Sequence, residues 1–182
     1  MEINKDIKQV LLTKEQIEER VREMGKEITA AYEGKELVVI ILLTGAAWFA
    51  ADLTRAINLP LRTDFMVASS YGNSTDSSGN VRVYLDIRED IAGKDVLLVD
   101  DIIDRGITFA AISNMLKEHR PLSLKTVALC DKCERRVNGL DADYVGFKVP
   151  DEFVVGYGLD FAGNYRNLPY IGILKPVVYA RK

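Results

Sequence analysis

Three carboxylates and a glycine turn fall together in one short stretch of the chain. The stretch reads VLLVDDIIDRGIT, from Val96 to Thr108. Its apolar run ends in Asp100 and Asp101, and Asp104 follows shortly before a helical pattern begins. Adjacent carboxylates can accept hydrogen bonds from the vicinal hydroxyls of a sugar, or hold Mg²⁺ through oxygen. The spacing therefore predicts a site for a ligand that carries hydroxyl groups or for Mg²⁺.

The turn that follows these acids suits a phosphate. Successive backbone N–H groups would lie at the positive end of the next helix; they belong to Asp104, Arg105, Gly106, Ile107 and Thr108. Gly106 permits the turn, and the Thr108 hydroxyl adds a donor. In the alternative interpretation, Asp104 only caps the helix and the acid pair belongs to a solvated loop. That alternative does not explain why three acids, a glycine and a threonine meet at the end of a buried strand.

Alternating strands and helices must position these groups. A capping box at Thr13 opens a helix whose apolar residues recur at helical spacing until Gly34. The run LVVIILL (37–43) predicts a strand buried on both faces, and a covering helix follows at 46–57. Further strands are expected at 96–99 and 126–129, with a helix at 107–118 between them. This order predicts an α/β fold with a doubly wound, mainly parallel twisted sheet flanked by helices.

A polar stretch of small residues from Ser70 to Asn80 interrupts this order, between strand-like runs at 65–69 and 81–87. Long polar loops in compact domains are often lids, so the stretch predicts a mobile lid loop at about 70–80.

Composition narrows the function. A chain of 182 residues, 48% hydrophobic and 28% charged, predicts one domain over residues 1–182. A net charge of −3 argues against binding to nucleic acid through a basic surface.

Neither a secretory signal nor a membrane-length apolar window is present, so we expect a cytoplasmic protein that does not enter membranes. The spacing of Cys130 and Cys133 suggests a redox or zinc site. A zinc site is disfavoured, because zinc prefers four ligands and the only histidine is His119.

The stretch VLLVDDIIDRGIT resembles the motif with which type I phosphoribosyltransferases bind 5-phosphoribosyl 1-pyrophosphate (PRPP). Its particular residues resemble those of the purine salvage branch of that family. The resemblance covers most of the chain. It continues in DFMVASSYGNST (64–75), which is similar to the catalytic lid of the family and carries Ser70 and Tyr71. It extends through LCDKCERR (129–136) to the long block from Pro150 to Pro176. A small hood formed by the N- and C-terminal segments is implied.

The resemblance also implies a reaction and its site. In the hypoxanthine and guanine enzymes, the lysine that matches Lys132 binds the exocyclic oxygen of the purine, and the aromatic residue that matches Phe153 stacks on the base. The backbone at Val154 and Asp160 reads the other edge of the base. Asp104 would be the general base or acid at purine N7.

The donor side follows from the same comparison. Asp100 and Asp101 would bind the ribose hydroxyls and, with Asp160, the cofactor Mg²⁺. Arg166, supported by Arg136, would contact the leaving pyrophosphate. The expected partners are a purine base and PRPP, in a homodimer or homotetramer.

Two positions depart from the family pattern. Leu43-Thr44-Gly45 stands where the family has a lysine or arginine before the glycine, and Arg105 stands where it has threonine or serine. Arg105 could restore the lost positive charge, or point to solvent while only its N–H serves. Two hypotheses therefore remain: a hypoxanthine or guanine phosphoribosyltransferase, and a catalytically weak paralogue that binds nucleotides as a regulator.

Overall fold

A computed structural model describes residues 3–70, 81–137, 139 and 141–180 of the chain. The strands are β1 (Ile7–Leu12), β2 (Leu37–Leu43), β3 (Leu61–Ser70), β4 (Val81–Leu85), β5 (Asp95–Ile103), β6 (Ser123–Asp131), β7 (Tyr144–Lys148), β8 (Val154–Val155) and β9 (Ile171–Leu174). The helices are α1 (Lys14–Ala31), α2 (Ala47–Ala56), α3 (Ile107–Glu118) and α4 (Pro176–Tyr179). Short 3-10 turns lie at Ile3–Asp6 and Cys133–Arg135. Within the described ranges, none of the helices combines the length and apolar character needed to cross a membrane.

The large sheet has six strands in the order β4-β3-β2-β5-β6-β7. Its strands pair in parallel except for β4, which pairs antiparallel with β3 at the edge. Along β2, the odd-numbered residues 37, 39 and 41 pack with α1 and α2, and the even-numbered residues 38, 40 and 42 pack with α3. Helices cover both faces of a parallel sheet, which confirms the predicted doubly wound α/β fold.

Helix α1 begins as its sequence predicts. The Thr13 hydroxyl accepts a hydrogen bond from the Gln16 N–H at 3.3 Å, and the Gln16 side chain accepts one from the Thr13 N–H at 2.8 Å. This pair of bonds satisfies two N–H groups that the helix itself cannot use. The apolar stripe of the helix, Ile17, Val21, Met24 and Ile28, is buried.

A second, three-stranded sheet joins the two ends of the chain in the order β1-β9-β8, with antiparallel pairing throughout. It corresponds to the predicted hood. Because β8 and β9 flank the segment 156–170, this sheet fixes both ends of a long irregular loop.

The predicted bounds of the strand that carries the acid pair need correction. The strand expected at 96–99 runs from Asp95 to Ile103, so the acid pair lies inside β5 rather than after it. Parallel pairing with β6 continues past the acids, to Ile103 opposite Asp131, because backbone pairing does not depend on apolar side chains. The predicted lid falls mainly at 71–80, outside the described residues; this includes Tyr71, whereas Ser70 is the last residue of β3.

Candidate active site

A pocket of about 370 Å³ lies where β2, β5 and β6 end. This volume is in the range of small-molecule sites. Its polar lining consists of three carboxylates and three cations: Asp101, Asp104, Asp160, Lys132, Arg135 and Arg166. The remaining lining is glycine or apolar: Gly45, Ile102, Phe153, Val154 and Leu159. Such a pocket offers both charged and apolar surface to a small ligand.

The predicted site residues divide between this pocket and its surroundings. Eight of them line it: Gly45, Asp101, Asp104, Lys132, Phe153, Val154, Asp160 and Arg166. Others lie near the lining residues in sequence without lining the pocket themselves: Thr44, Asp100, Arg105, Gly106, Ile107, Thr108 and Arg136. The sequence did not single out Arg135, Ile102 or Leu159. For Arg135 the signal was present, as a pair of adjacent arginines in LCDKCERR.

Close backbone packing fixes Asp101 at the pocket wall. A Cβ atom built on Gly45 would lie 1.8 Å from Asp101 Oδ2, and one built on Gly158 would lie 2.1 Å from the Gly45 carbonyl oxygen. A larger residue at Gly45 would therefore clash with the Asp101 side chain, and one at Gly158 would clash with the backbone of the turn after β2. The peptide bond between Leu43 and Thr44 in this turn is cis.

The acid pair is held in an environment that disfavours its negative charge. Burial raises the pKa of Asp100 well above its ordinary value, and the charge of Asp101 raises it further. Burial also raises the pKa of Asp101, against the opposing effects of backbone hydrogen bonds and the Arg166 guanidinium. Cations or hydroxyl donors would stabilise both carboxylates, so the pair is suited to bind them.

Asp104 does not cap the helix that follows it. The N-cap of α3 is Gly106, in the left-handed region at φ 79°. Asp104 Oδ2 instead accepts a hydrogen bond from Arg135 Nη1 at 3.0 Å. Its other oxygen, Oδ1, is buried and has no hydrogen-bond partner among the described residues. A carboxylate with an unused buried oxygen at the edge of a pocket is not explained by helix capping.

Arg136 lies next to this turn in a different setting. Its guanidinium forms a buried ion pair with Asp131 and donates to the Asp104 carbonyl oxygen at 3.3 Å. These contacts fasten the turn after β5 to the end of β6.

Lys132 is the buried cation of the pocket. The residue is only 7% exposed, and its backbone N–H donates to the Ile103 carbonyl at 2.9 Å. No carboxylate oxygen of the described residues lies within 4.0 Å of its ammonium group. Burial of an unpaired charge is costly. The pocket is therefore complementary to a ligand that presents an acceptor to Lys132.

An aromatic group forms the apolar side of the pocket. Phe153 packs edge to face on Phe161, with ring centroids 5.4 Å apart. Tyr179 from α4 stacks on Phe153 at 5.0 Å. The C-terminal turn thus supports the ring that lines the pocket.

The loop after β8 places Asp160 and Arg166 opposite each other. Arg166 Nη2 pairs with Asp160 Oδ1 at 2.8 Å, and Nη1 donates to the Gly158 carbonyl at 2.5 Å. Asp160 Oδ2 accepts from the Gly163 N–H at 2.7 Å. Gly158 and Gly163 both have positive φ, so the tight path of this loop depends on glycine.

Thr44 and Arg105, the two departures from the family pattern, are both exposed. Compensation between them stays a prediction. The two cysteines differ in setting: Cys130 is buried in β6, where burial raises the pKa of its thiol, and Cys133 is exposed. His119 is an exposed residue that ends α3.

Comparison with known proteins agrees with this geometry. Residues 9–162 match the model of the phosphoribosyl transferase domain. The chain belongs to the phosphoribosyl transferase family. It is 48% identical over 174 residues to the hypoxanthine-guanine phosphoribosyltransferase of Bacillus subtilis, with 96% of this chain and 97% of that protein covered.

Two further relatives extend the comparison. The crystal structure of a hypoxanthine phosphoribosyltransferase from Staphylococcus aureus superposes with a TM-score of 0.95 at 46% identity, covering 98% of this chain and 97% of that one. The bifunctional protein TilS/HprT of Listeria innocua is 48% identical over 178 residues, which is 98% of this chain. The chain spans 28% of the length of that protein.

Proposed function

We propose that this protein transfers the phosphoribosyl group of PRPP to hypoxanthine or guanine, forming IMP or GMP and pyrophosphate. One observation carries the proposal: Lys132, Phe153 and Asp104 line the same pocket as the acid-bearing end of β5. A buried ammonium, an aromatic ring and a carboxylate are the groups that would select a flat heterocycle with an oxygen and an N–H. The names of the relatives support the same activity.

The base half of the pocket would orient the purine. The Lys132 ammonium donates to the exocyclic oxygen, the Phe153 ring stacks on the base, and the backbone at Val154 and Asp160 reads the opposite edge. Asp104 accepts the proton from N7 while a purine nitrogen forms its bond to ribose C1. The bond from C1 to pyrophosphate breaks in the same displacement, through a transition state with positive charge on the sugar ring.

The donor half would hold PRPP. Asp100 and Asp101 accept hydrogen bonds from the ribose hydroxyls, and N–H groups at the start of α3 bind the 5′-phosphate. Arg166 lines the pocket, and its guanidinium would leave the ion pair with Asp160 to contact the leaving pyrophosphate. We assign Arg136 a supporting role, because its own guanidinium is held by Asp131.

The donor set fits Mg²⁺. Among the described residues, no cluster of three or more side chains is arranged to hold a metal by itself. Mg²⁺ commonly takes one or two carboxylates together with substrate phosphates and water. Asp100, Asp101 and Asp160 offer the carboxylate oxygens, and bound Mg²⁺ would neutralise charge on the pyrophosphate.

A substrate panel tests the proposal. Protein, PRPP and Mg²⁺ are mixed in turn with hypoxanthine, guanine, xanthine and adenine, and nucleotide formation is followed by purine absorbance and chromatography. The expected result is IMP or GMP formation with little product from adenine. Tight binding of nucleotide or PRPP without turnover of any base would instead favour the regulator.

A further inference from the structure

Arg135 contacts two carboxylates at the pocket wall. Its Nη1 donates to Asp104 Oδ2 at 3.0 Å, and its Nε lies 3.5 Å from Asp151 Oδ1. Asp104 follows β5, whereas Asp151 precedes the segment that carries Phe153. The guanidinium therefore connects the candidate catalytic carboxylate with the base half of the pocket.

The two oxygens of Asp104 are not equivalent. Oδ1 is shielded from solvent by the surrounding protein and has no partner among the described residues. The side chain as a whole is 41% exposed, so Oδ2 is the oxygen that a ligand in the pocket can reach. The oxygen that would accept the N7 proton is thus the one that Arg135 holds.

We propose that Arg135 is a positioning residue: it fixes the rotation of the Asp104 carboxylate so that Oδ2 stays turned toward the base. The inference rests on the proposed function, because it gives Asp104 its role. Arg135 is itself held in place, since its backbone N–H donates to the Lys132 carbonyl at 3.0 Å. The turn that carries Lys132, which would bind the purine oxygen, therefore also positions the Asp104 carboxylate at N7.

Arginine suits this position better than lysine. A planar guanidinium presents several N–H groups in a fixed fork, so one side chain can meet two carboxylates from separate segments. A lysine at 135 would keep the charge but not the geometry. The adjacent Arg136 cannot substitute, because its guanidinium is buried against Asp131.

The test uses Arg135→Gln, Arg135→Lys, Asp104→Asn and the double variant Asp104→Asn/Arg135→Gln. Arg135→Gln is expected to lower kcat about tenfold while the KM values for base and PRPP stay within about twofold, since only the reacting carboxylate is disturbed. Arg135→Lys should recover part of the loss. In the Asp104→Asn background, Arg135→Gln should cause no further loss, because its effect passes through Asp104.

A matched control is Arg62→Gln. Arg62 is an exposed arginine that also faces two carboxylates, Glu89 at 3.2 Å and Glu36 at 4.0 Å, at the opposite end of the large sheet. The Arg62→Gln variant should leave kcat and both KM values unchanged. Thermal unfolding of every variant checks that the fold is retained.

The possible failures are distinguishable. An Arg135→Gln enzyme with parental kcat, or one that loses the same factor with and without Asp104, overturns the positioning role alone. A rise in KM with unchanged kcat assigns Arg135 to ligand binding and also overturns the positioning role. A parent protein that turns over no purine overturns the proposed function and the positioning role together. An Asp104→Asn variant with parental kcat leaves the transfer reaction standing but overturns the acid-base role of Asp104, and with it the positioning role of Arg135.

Discussion

The donor half and the base half of the pocket are built in different ways. The acids and N–H groups of the donor half form one continuous stretch, from Asp100 to Thr108, at a single strand-to-helix crossover, whereas Arg136 and Arg166 come from other segments. The base half combines Lys132 at the end of β6 with the loop that begins at Phe153. Local chain geometry is enough to place the first set of groups, whereas the second set depends on contacts between distant parts of the chain.

Two tyrosines show how the base half is held. The Tyr157 hydroxyl donates to Asp52 Oδ2 at 2.5 Å, across 105 residues of sequence. The Tyr165 hydroxyl donates to Asp6 Oδ2 at 2.7 Å, across 159 residues. The loop is therefore tied to α2 on one side and to the N-terminal segment on the other. A change far from the pocket can alter base binding through this loop, while the acids and N–H groups of the donor half should be sensitive mainly to changes within their own stretch.

Asp104→Asn should have the largest effect. The side chains are nearly isosteric, so the fold should persist, but an amide cannot accept the N7 proton. We expect kcat to fall roughly 10²- to 10⁴-fold, measured by steady-state kinetics with hypoxanthine and guanine. The exposed Asp90→Asn serves as control and should keep parental kcat. Near-normal kcat for Asp104→Asn would remove the acid-base role from the donor half.

Lys132→Met tests the base half. Loss of a hydrogen bond from a charged donor costs about 1.5–3 kcal/mol, so kcat/KM for hypoxanthine should fall roughly 10- to 150-fold. The preference for hypoxanthine over adenine should shrink, because the ammonium no longer opposes the adenine amino group. Lys125→Met, which removes an exposed lysine from the strand that leads to Lys132, is the control. Unchanged discrimination would show that Lys132 does not contact the 6-position.

Asp100→Asn should improve stability while it weakens donor binding. Because the pKa of Asp100 is higher in the folded protein, its proton is bound more tightly there, and stability falls as pH rises from the ordinary value of 3.8 through the folded pKa. Asparagine at position 100 does not titrate, so the variant avoids this loss of stability. We therefore expect a higher Tm than the parent near neutral pH, with a smaller difference near pH 3.8, the ordinary pKa.

The same variant should bind PRPP about tenfold more weakly, which is about 1.4 kcal/mol. Thermal unfolding at the two pH values and a PRPP titration measure both effects. A Tm that is lower than that of the parent near neutral pH would contradict the cost assigned to the buried acid.

Tyr157→Phe should have the smallest effect on activity, because it changes only the long-range support of the base half. Loss of its hydrogen bond to a carboxylate should lower the free energy of unfolding by about 1.5 kcal/mol. The KM for the base should rise more than the KM for PRPP. Denaturant unfolding and kinetics with each substrate measure this difference, with the exposed Tyr84→Phe as control. Equal changes in both KM values would mean that the two halves are not supported separately.

The sequence by itself determined the elements whose signals are local. Thr13 and Gln16 cap α1, the run 37–43 forms a buried strand, and helix α3 has the predicted bounds Ile107–Glu118. Hydrophobic periodicity, capping and a glycine turn act over a few residues, so they can be recognised without knowledge of the rest of the fold. The resemblance to a family added candidate residues for the base, but not the contacts between them.

Tertiary structure decided the contacts between distant residues. β5 continues past its acids because β6 pairs with it, and β1 meets β9 because the two ends of the chain share a sheet. The family resemblance gave Arg136 a role in support of Arg166 and did not single out Arg135; in the structure Arg135 lines the pocket, and the Arg136 guanidinium is paired with Asp131. Adjacent residues of one turn point in different directions, and only the packing of other segments around that turn determines which of them faces the ligand.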